Sequence, residues 1–176
     1  MLYITVLMII MASCQKNPPG DILPPPTNSG KHTLGFFING EAWVPYDRGS
    51  HEIYELPKAK LTENGGLKIS ATRIDDQKSC RQWFCIEIAE RCKGPGVYEL
   101  SSVDCNSPFQ TFYYGSNGDT PGEIYQIDQN SPHTIEITHL NEMRKFISGI
   151  FELDLVSEDK SDTLEIRSGR FDLKYK

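Results

Sequence analysis

The last thirty residues constrain the fold more than any other part of the chain. In Ile147-Ser148-Gly149-Ile150-Phe151-Glu152-Leu153-Asp154-Leu155, the apolar residues Ile147, Phe151, Leu153 and Leu155 share one face of an extended strand. A period of two belongs to a strand buried on one side. After the polar turn at 157–162, a second run over 163–175 keeps its apolar residues at even positions up to Ile166 and at odd positions from Phe171 onward. A parity change inside one strand needs an extra residue, so a β-bulge is predicted at Ser168-Gly169, with Gly169 at positive φ. In that register Leu155 faces Leu164, Leu153 faces Ile166, and the Phe171 ring covers Gly149. Both strands contain Ser-Gly-x-Phe-acid-Leu, at 148–153 and 168–173. This reads as one structural need met twice rather than as a duplication.

The same strand-and-turn pattern runs back through the chain. Thr33-Leu34-Gly35-Phe36-Phe37-Ile38, Asn39-Gly40 and Glu41-Ala42-Trp43-Val44-Pro45 read as a two-residue hairpin, because a type I′ turn needs φ > 0 at both central residues. Its register sets Ile38 against Glu41 and Phe36 against Trp43. Further strands are predicted at 67–74, 83–90, 96–103, 109–115, 123–127 and 134–140. Within 83–90, Phe84, Ile86 and Ile88 share a face, with Cys85 and Glu87 on the other. No window of twelve or more residues carries capped helical periodicity. The fold expected is all-β, a single antiparallel β-sandwich or flattened barrel of about nine to ten strands. The alternative is a closed, lipocalin-like up-and-down barrel.

The chain before residue 33 has a different character. Residues 2–13 are uncharged and mostly apolar, and the run ends in Met11-Ala12-Ser13 before Cys14. That is the form of a bacterial lipoprotein signal peptide over 1–13, with lipidation at Cys14, and it is shorter than the ~20 residues a membrane-spanning helix requires. Residues 15–31 hold five prolines and two glycines without periodicity, so 14–32 is expected to be a semi-rigid tether and 33–176 the all-β domain. The net charge of −6, with no Lys/Arg cluster, argues against nucleic acid and against electrostatic docking on anionic lipid. The membrane partner is reached through the lipid anchor.

Four further cysteines, Cys80, Cys85, Cys92 and Cys105, are an even set in an exported chain and point to disulfides. Their spacings of 4, 6 and 12 intervening residues do not suit zinc. If Cys92 pairs with Val97 across the turn at 93–96, Cys85 falls opposite Asp104, which favours a Cys85–Cys105 bridge.

No residue pattern names a reaction. His32, His51, His133 and His139 are scattered; His133 and His139 lie on one strand, ~20 Å apart, too far to share a metal. Nucleophile-elbow, phosphate-loop and zinc-protease patterns are missing from the sequence, and the acidic loops lack calcium-loop spacing. No catalytic residue, metal or cofactor is expected. The stretch that stands out for binding is 109–119, where Tyr113 and Tyr114 precede an Asn/Gly/Asp loop suited to stacking on a sugar or another flat ligand.

The order Gly-x-x-Ile-Asn-Gly-x-x-Trp (35–43), Gly-Val-Tyr-x-Leu (96–100) and Ile-Ser-Gly-x-Phe…Ile-x-x-Gly-Arg-Phe-Asp-x-x-Tyr (147–175) resembles a group of small Bacteroidetes envelope lipoproteins catalogued as a domain of unknown function. The resemblance implies an envelope lipoprotein with an all-β domain and brings no functional residues with it. In such proteins acids close to the lipidated cysteine direct surface display. Gln15, Lys16 and Asn17 are not acidic, so the outer membrane facing the periplasm is expected. The function expected is a non-enzymatic binding or accessory module for a glycan, a small molecule or an envelope protein. The alternatives are a lipophilic-ligand carrier and, behind it, a hydrolase.

Overall fold

Asn39 and Gly40 take φ of 48° and 84°, the left-handed values a type I′ turn demands. They join β1 (Thr33–Ile38) to β2 (Glu41–Trp43), with Phe36 opposite Trp43 and Ile38 opposite Glu41 as the sequence predicts. The computed structural model describes residues 22–48, 57–75, 80–100, 111–115 and 123–176; for 47, 48, 75, 80, 81, 111–115 and 123 it describes the backbone. The remaining strands are β3 (Tyr46–Arg48), β4 (Lys58–Leu61), β5 (Leu67–Asp75), β6 (Cys80–Ile88), β7 (Gly96–Glu99), β8 (Thr111–Gly115), β9 (Glu123–Ile127), β10 (Thr134–Asn141), β11 (Phe146–Ser157) and β12 (Thr163–Lys174). The protein is all-β. All ten strands read from the sequence are present, and β3 and β4 are added, each too short to show a period.

The strands follow one hydrogen-bonded path, β2-β1-β12-β11-β9-β8-β6-β5-β3, with β4 beside β5 and β10 between β11 and β7. Every pairing between named strands is antiparallel except β3 with β5, and an isolated parallel bridge joins Ala59 of β4 to Tyr175. The two ends of the path, β2 and β3, are separated in the chain only by Val44-Pro45. Proline has no N–H to give a ladder. The chain therefore steps from one sheet edge to the other without pairing them, and there is no closed barrel. The lipocalin-like alternative fails on this point and on its interior. Phe36 packs on Trp43 at 4.6 Å, on Phe84 at 4.4 Å and on Phe151 at 5.8 Å, and Phe84 stacks on Phe151 at 5.5 Å. Rings from β1, β2, β6 and β11 fill the space that a lipocalin keeps for its ligand.

The strands β11 and β12 pair as predicted, with Leu155 opposite Leu164, Leu153 opposite Ile166 and Gly149 opposite Phe171. Between Phe151↔Gly169 and Leu153↔Ile166, Glu152 faces both Arg167 and Ser168, which is the bulge. Its conformation differs from expectation: Ser168, not Gly169, takes positive φ (53°). Gly169 is there to make room. A Cβ on it would lie 2.5 Å from the Phe151 ring, and one on Gly149 would lie 2.7 Å from Phe171 and against the Glu136 carbonyl. Each strand thus supplies a glycine beneath the other strand's phenylalanine. An antiparallel pair has a local two-fold axis, which explains why Ser-Gly-x-Phe occurs twice.

The stretch read as tether is packed onto the domain over its second half. Leu23 is buried, and Pro24 and Leu23 lie over Gly35, whose missing Cβ would meet Pro24 Cδ at 2.8 Å. Buried Asp172 then holds the next residues. Its Oδ2 accepts from Thr27 Oγ1 (2.6 Å) and the Ser29 and Lys31 N–H (both 3.0 Å), and Oδ1 accepts from the Gly30 N–H (2.8 Å) and Ser148 Oγ (2.7 Å). Burial pushes this carboxyl's pKa up, but the donors, led by the Lys31 N–H, outweigh it and hold it well below the usual range.

The sequence-based register of β6 on β7 is not formed. β6 pairs with β5 and β8, and β7 pairs with β10. The Tyr98 hydroxyl donates to the Gly94 carbonyl (2.8 Å) and accepts from the Lys93 N–H (3.2 Å), tying the 93–98 loop to itself. Gly94 at φ 140° turns the chain away from β6. Cys92 N–H instead donates to the Gly65 carbonyl (2.9 Å).

Two outcomes follow for stability. Gly169→Ala should cost about 1–3 kcal/mol by overpacking, and adding Phe151→Leu should recover part of that cost, which a double-mutant cycle in urea will read. Two independent, additive losses would break the proposed contact. Asp172→Asn should cost about 2–3 kcal/mol by leaving buried donors opposed to an amide. A carboxyl with a lowered folded pKa stabilises above its unfolded value and loses that contribution as pH falls below about 4. Melting curves between pH 5 and 2 should therefore fall more steeply for wild type than for Asp172→Asn.

Candidate functional site

The inward face of β5 and β6 is apolar for three rows: Leu67 with Ile88, Ile69 with Ile86, and Ala71 with Phe84. The fourth row, at the same inward parity, is Arg73 with Gln82. Inward polar positions are costly unless satisfied or used, so this row is the informative break in the core. The row lies at one end of the sandwich, where Ile38 and Leu164 also stand at inward positions and exposed Glu41 faces Ile38 across the first hairpin. Together with Asn39, Ala42 and Trp43 they line an open pocket of about 300 Å³.

The chain that fails to close the barrel holds both polar side chains in place. Trp43 Nε1 donates to Gln82 Oε1 (2.6 Å), and Arg73 Nη1 donates to the Ala42 carbonyl (3.2 Å) while its guanidinium lies 4.8 Å from the centre of the Tyr46 ring. Gln82 is only 8% exposed, and its amide nitrogen has no hydrogen-bond partner among the described residues. Arg73 and Glu41 form no ion pair with each other among the described residues. The pocket therefore presents two donor groups, one carboxylate and apolar walls. Among the described residues that line it there is no nucleophile–base arrangement.

Of the sequence-predicted binding residues, Tyr113 and Tyr114 have described backbone only. Tyr113 holds the register position between Gln82 and Glu123, which extends the Arg73–Gln82 row onto β8 and β9; Tyr114 is opposite Arg81. Beside them, Trp83 is 58% exposed on the outer face, in register with Phe112. Arg73 and Gln82 themselves escaped the sequence reading. Their signal was a polar residue at the inward parity of each of two strands.

The histidines stand apart. His133 Nδ1 lies 2.7 Å from the Ser131 carbonyl, and His139 stacks on Phe146 at 5.2 Å. Half-buried His32 has a pKa lowered by burial and by Lys174. His51 lies outside the described residues. Among the described residues no three His, Cys, Asp or Glu side chains are grouped to hold a metal. The acidic turn after β11 satisfies itself: the Ser157 and Ser161 hydroxyls hold Asp159 at a pKa of about 2, and Asp162 accepts from Tyr125 Oη at 2.7 Å.

Among the cysteines, Cys92 is a buried free thiol and Cys85 is disulfide-bonded. No disulfide has both halves among the described side chains; Cys80 has described backbone only, and Cys14 and Cys105 lie outside the described residues. No protein-family model matches the chain, and neither a curated protein nor a solved structure does.

Proposed function

We propose that the protein is a non-enzymatic binding module of the bacterial envelope, lipidated at Cys14, that takes a small ligand in the pocket formed by Arg73, Gln82, Glu41 and Trp43. The carrying observation is the polar row at inward positions, with the Gln82 amide N–H groups open to the pocket. Polar groups that break an otherwise apolar inward face and open onto a concave pocket are the kind of lining that orients a small ligand. The packed rings of the interior weigh against a lipophilic carrier. The resemblance to small Bacteroidetes lipoproteins supports the same location, on the periplasmic side of the outer membrane.

The disulfide proposal is Cys85 with Cys105. Cys92 is free, and Cys80 is five steps, ~16 Å, along the same extended strand as Cys85, beyond disulfide reach. The loop of about 20 residues would contribute roughly 3 kcal/mol.

The chain's two tryptophans separate a pocket ligand from one on the outer face. Trp83→Phe leaves Trp43 as the lone emitter, and a screen of glycans and small molecules should give hits that shift Trp43 emission and weaken at least tenfold in Arg73→Gln. Hits that vanish with Trp83 and ignore Arg73 would move the site to the outer face. Cys14→Ala should release the protein from membranes, and retention equal to wild type would defeat the lipidation reading. Alkylation of the exported protein in denaturant without reductant should label Cys92 and spare Cys85 and Cys105; labelling of either would rule out that bridge.

A further inference from the structure

We infer that the pocket recognises a small zwitterion, an α-amino acid with an apolar side chain; this rests on the pocket being a binding site. Arg73 and Glu41 line one mouth of about 300 Å³, yet they do not pair with each other. Arg73 is fixed by the Ala42 carbonyl and the Tyr46 ring, and Gln82 by Trp43, so the guanidinium and the free amide N–H groups are set in advance as neighbours across two strands. Two donor groups on neighbouring residues of one pocket suit a carboxylate, which takes paired N–H bonds.

Glu41 at the rim makes a simple anion a poor match and supplies the counter-charge for an ammonium group. The chain's net charge of −6 also disfavours an anion as a whole, whereas a zwitterion carries no net charge into that field. The walls left over, Ile38, Ala42, Leu164 and the Trp43 ring, are apolar and suit an aliphatic side chain. A volume of about 300 Å³ is at the low end for ligand pockets, so the ligand is small. The carboxylate accepts from Arg73 and Gln82, the ammonium donates to Glu41, and the side chain lies against Ile38 and Leu164.

The test uses the full chain carrying Trp83→Phe and reads Trp43 emission against leucine, valine, N-acetyl-leucine and leucine amide. Leucine should bind, with N-acetyl-leucine and leucine amide each at least tenfold weaker. Glu41→Gln should weaken leucine about tenfold and leave N-acetyl-leucine unchanged, and Arg73→Lys should weaken every carboxylate. N-acetyl-leucine binding as tightly as leucine overturns the zwitterion while leaving a carboxylate pocket. Silence of Trp43 toward the amino acids, with a response to another compound of the wider screen, overturns the inference alone. Silence toward the whole screen overturns the binding reading too.

Discussion

Everything in this domain hangs on two phenylalanines lying over two glycines. Phe151 sits on Gly169 and Phe171 on Gly149, across the longest strand pair of the sheet. The rings reach the core because there is no Cβ beneath them, and the bulge at Ser168 restores inward parity after the contact. Ser168 stands in the left-handed region, which costs a non-glycine residue about 1–2 kcal/mol. Burying a phenylalanine is worth about 1.5–3 kcal/mol, and two of them depend on this bend. The strain is locally outweighed.

The bend has consequences along both strands. Up to Glu152, β11 pairs with β10, and from Leu155 it pairs with β9, so the sheet divides at the clasp. On its other side β12 carries β1, whose own register shifts between Gly35 and Phe37. A sheet bent at this seam folds over until Phe151 meets Phe84 and Phe36 from the facing strands. Closure would need β2 to pair with β3. Pro45 sits between them, and what remains is an open end lined by the inward residues beyond the last apolar row. The candidate pocket is thus a product of failed closure.

Local signals in the sequence were legible, and partners distant in the chain were not. Asn39-Gly40 encodes its turn in two residues, and the parity switch between Ile166 and Phe171 encodes a register because the partner strand is adjacent in sequence. By contrast, β7 follows β6 in the chain but pairs with β10, through a loop closure made by the Tyr98 hydroxyl that no period reveals. Gly169 was recognised as necessary for the wrong reason, since a sequence cannot distinguish a glycine needed for φ from one needed for space. Proline-rich composition likewise cannot tell a free tether from one whose N–H groups meet Asp172. Arg73 falls at the inward parity of the strand predicted over 67–74, but Gln82 lies just before the one predicted over 83–90, and pairing them takes the β5–β6 register.

The placement of the N-terminal strap suits a protein held by that end. Asp172 grips residues 27–31 near the C-terminal end of β12, while Leu164 at the pocket lies eight steps, ~26 Å, away along the same strand. With the lipidation proposed at Cys14, a load applied through that end would reach β12, which has a neighbour on either side and carries the clasp. Thr33, where β1 begins, pairs with Asp172 itself, so the strap and the start of β1 are held at one end of the sheet and Ile38 of the pocket stands at the other end of β1. The clamp thus lies at the opposite end of β12 from Leu164, so an anchor at the proposed site would pull on the sheet away from the candidate pocket.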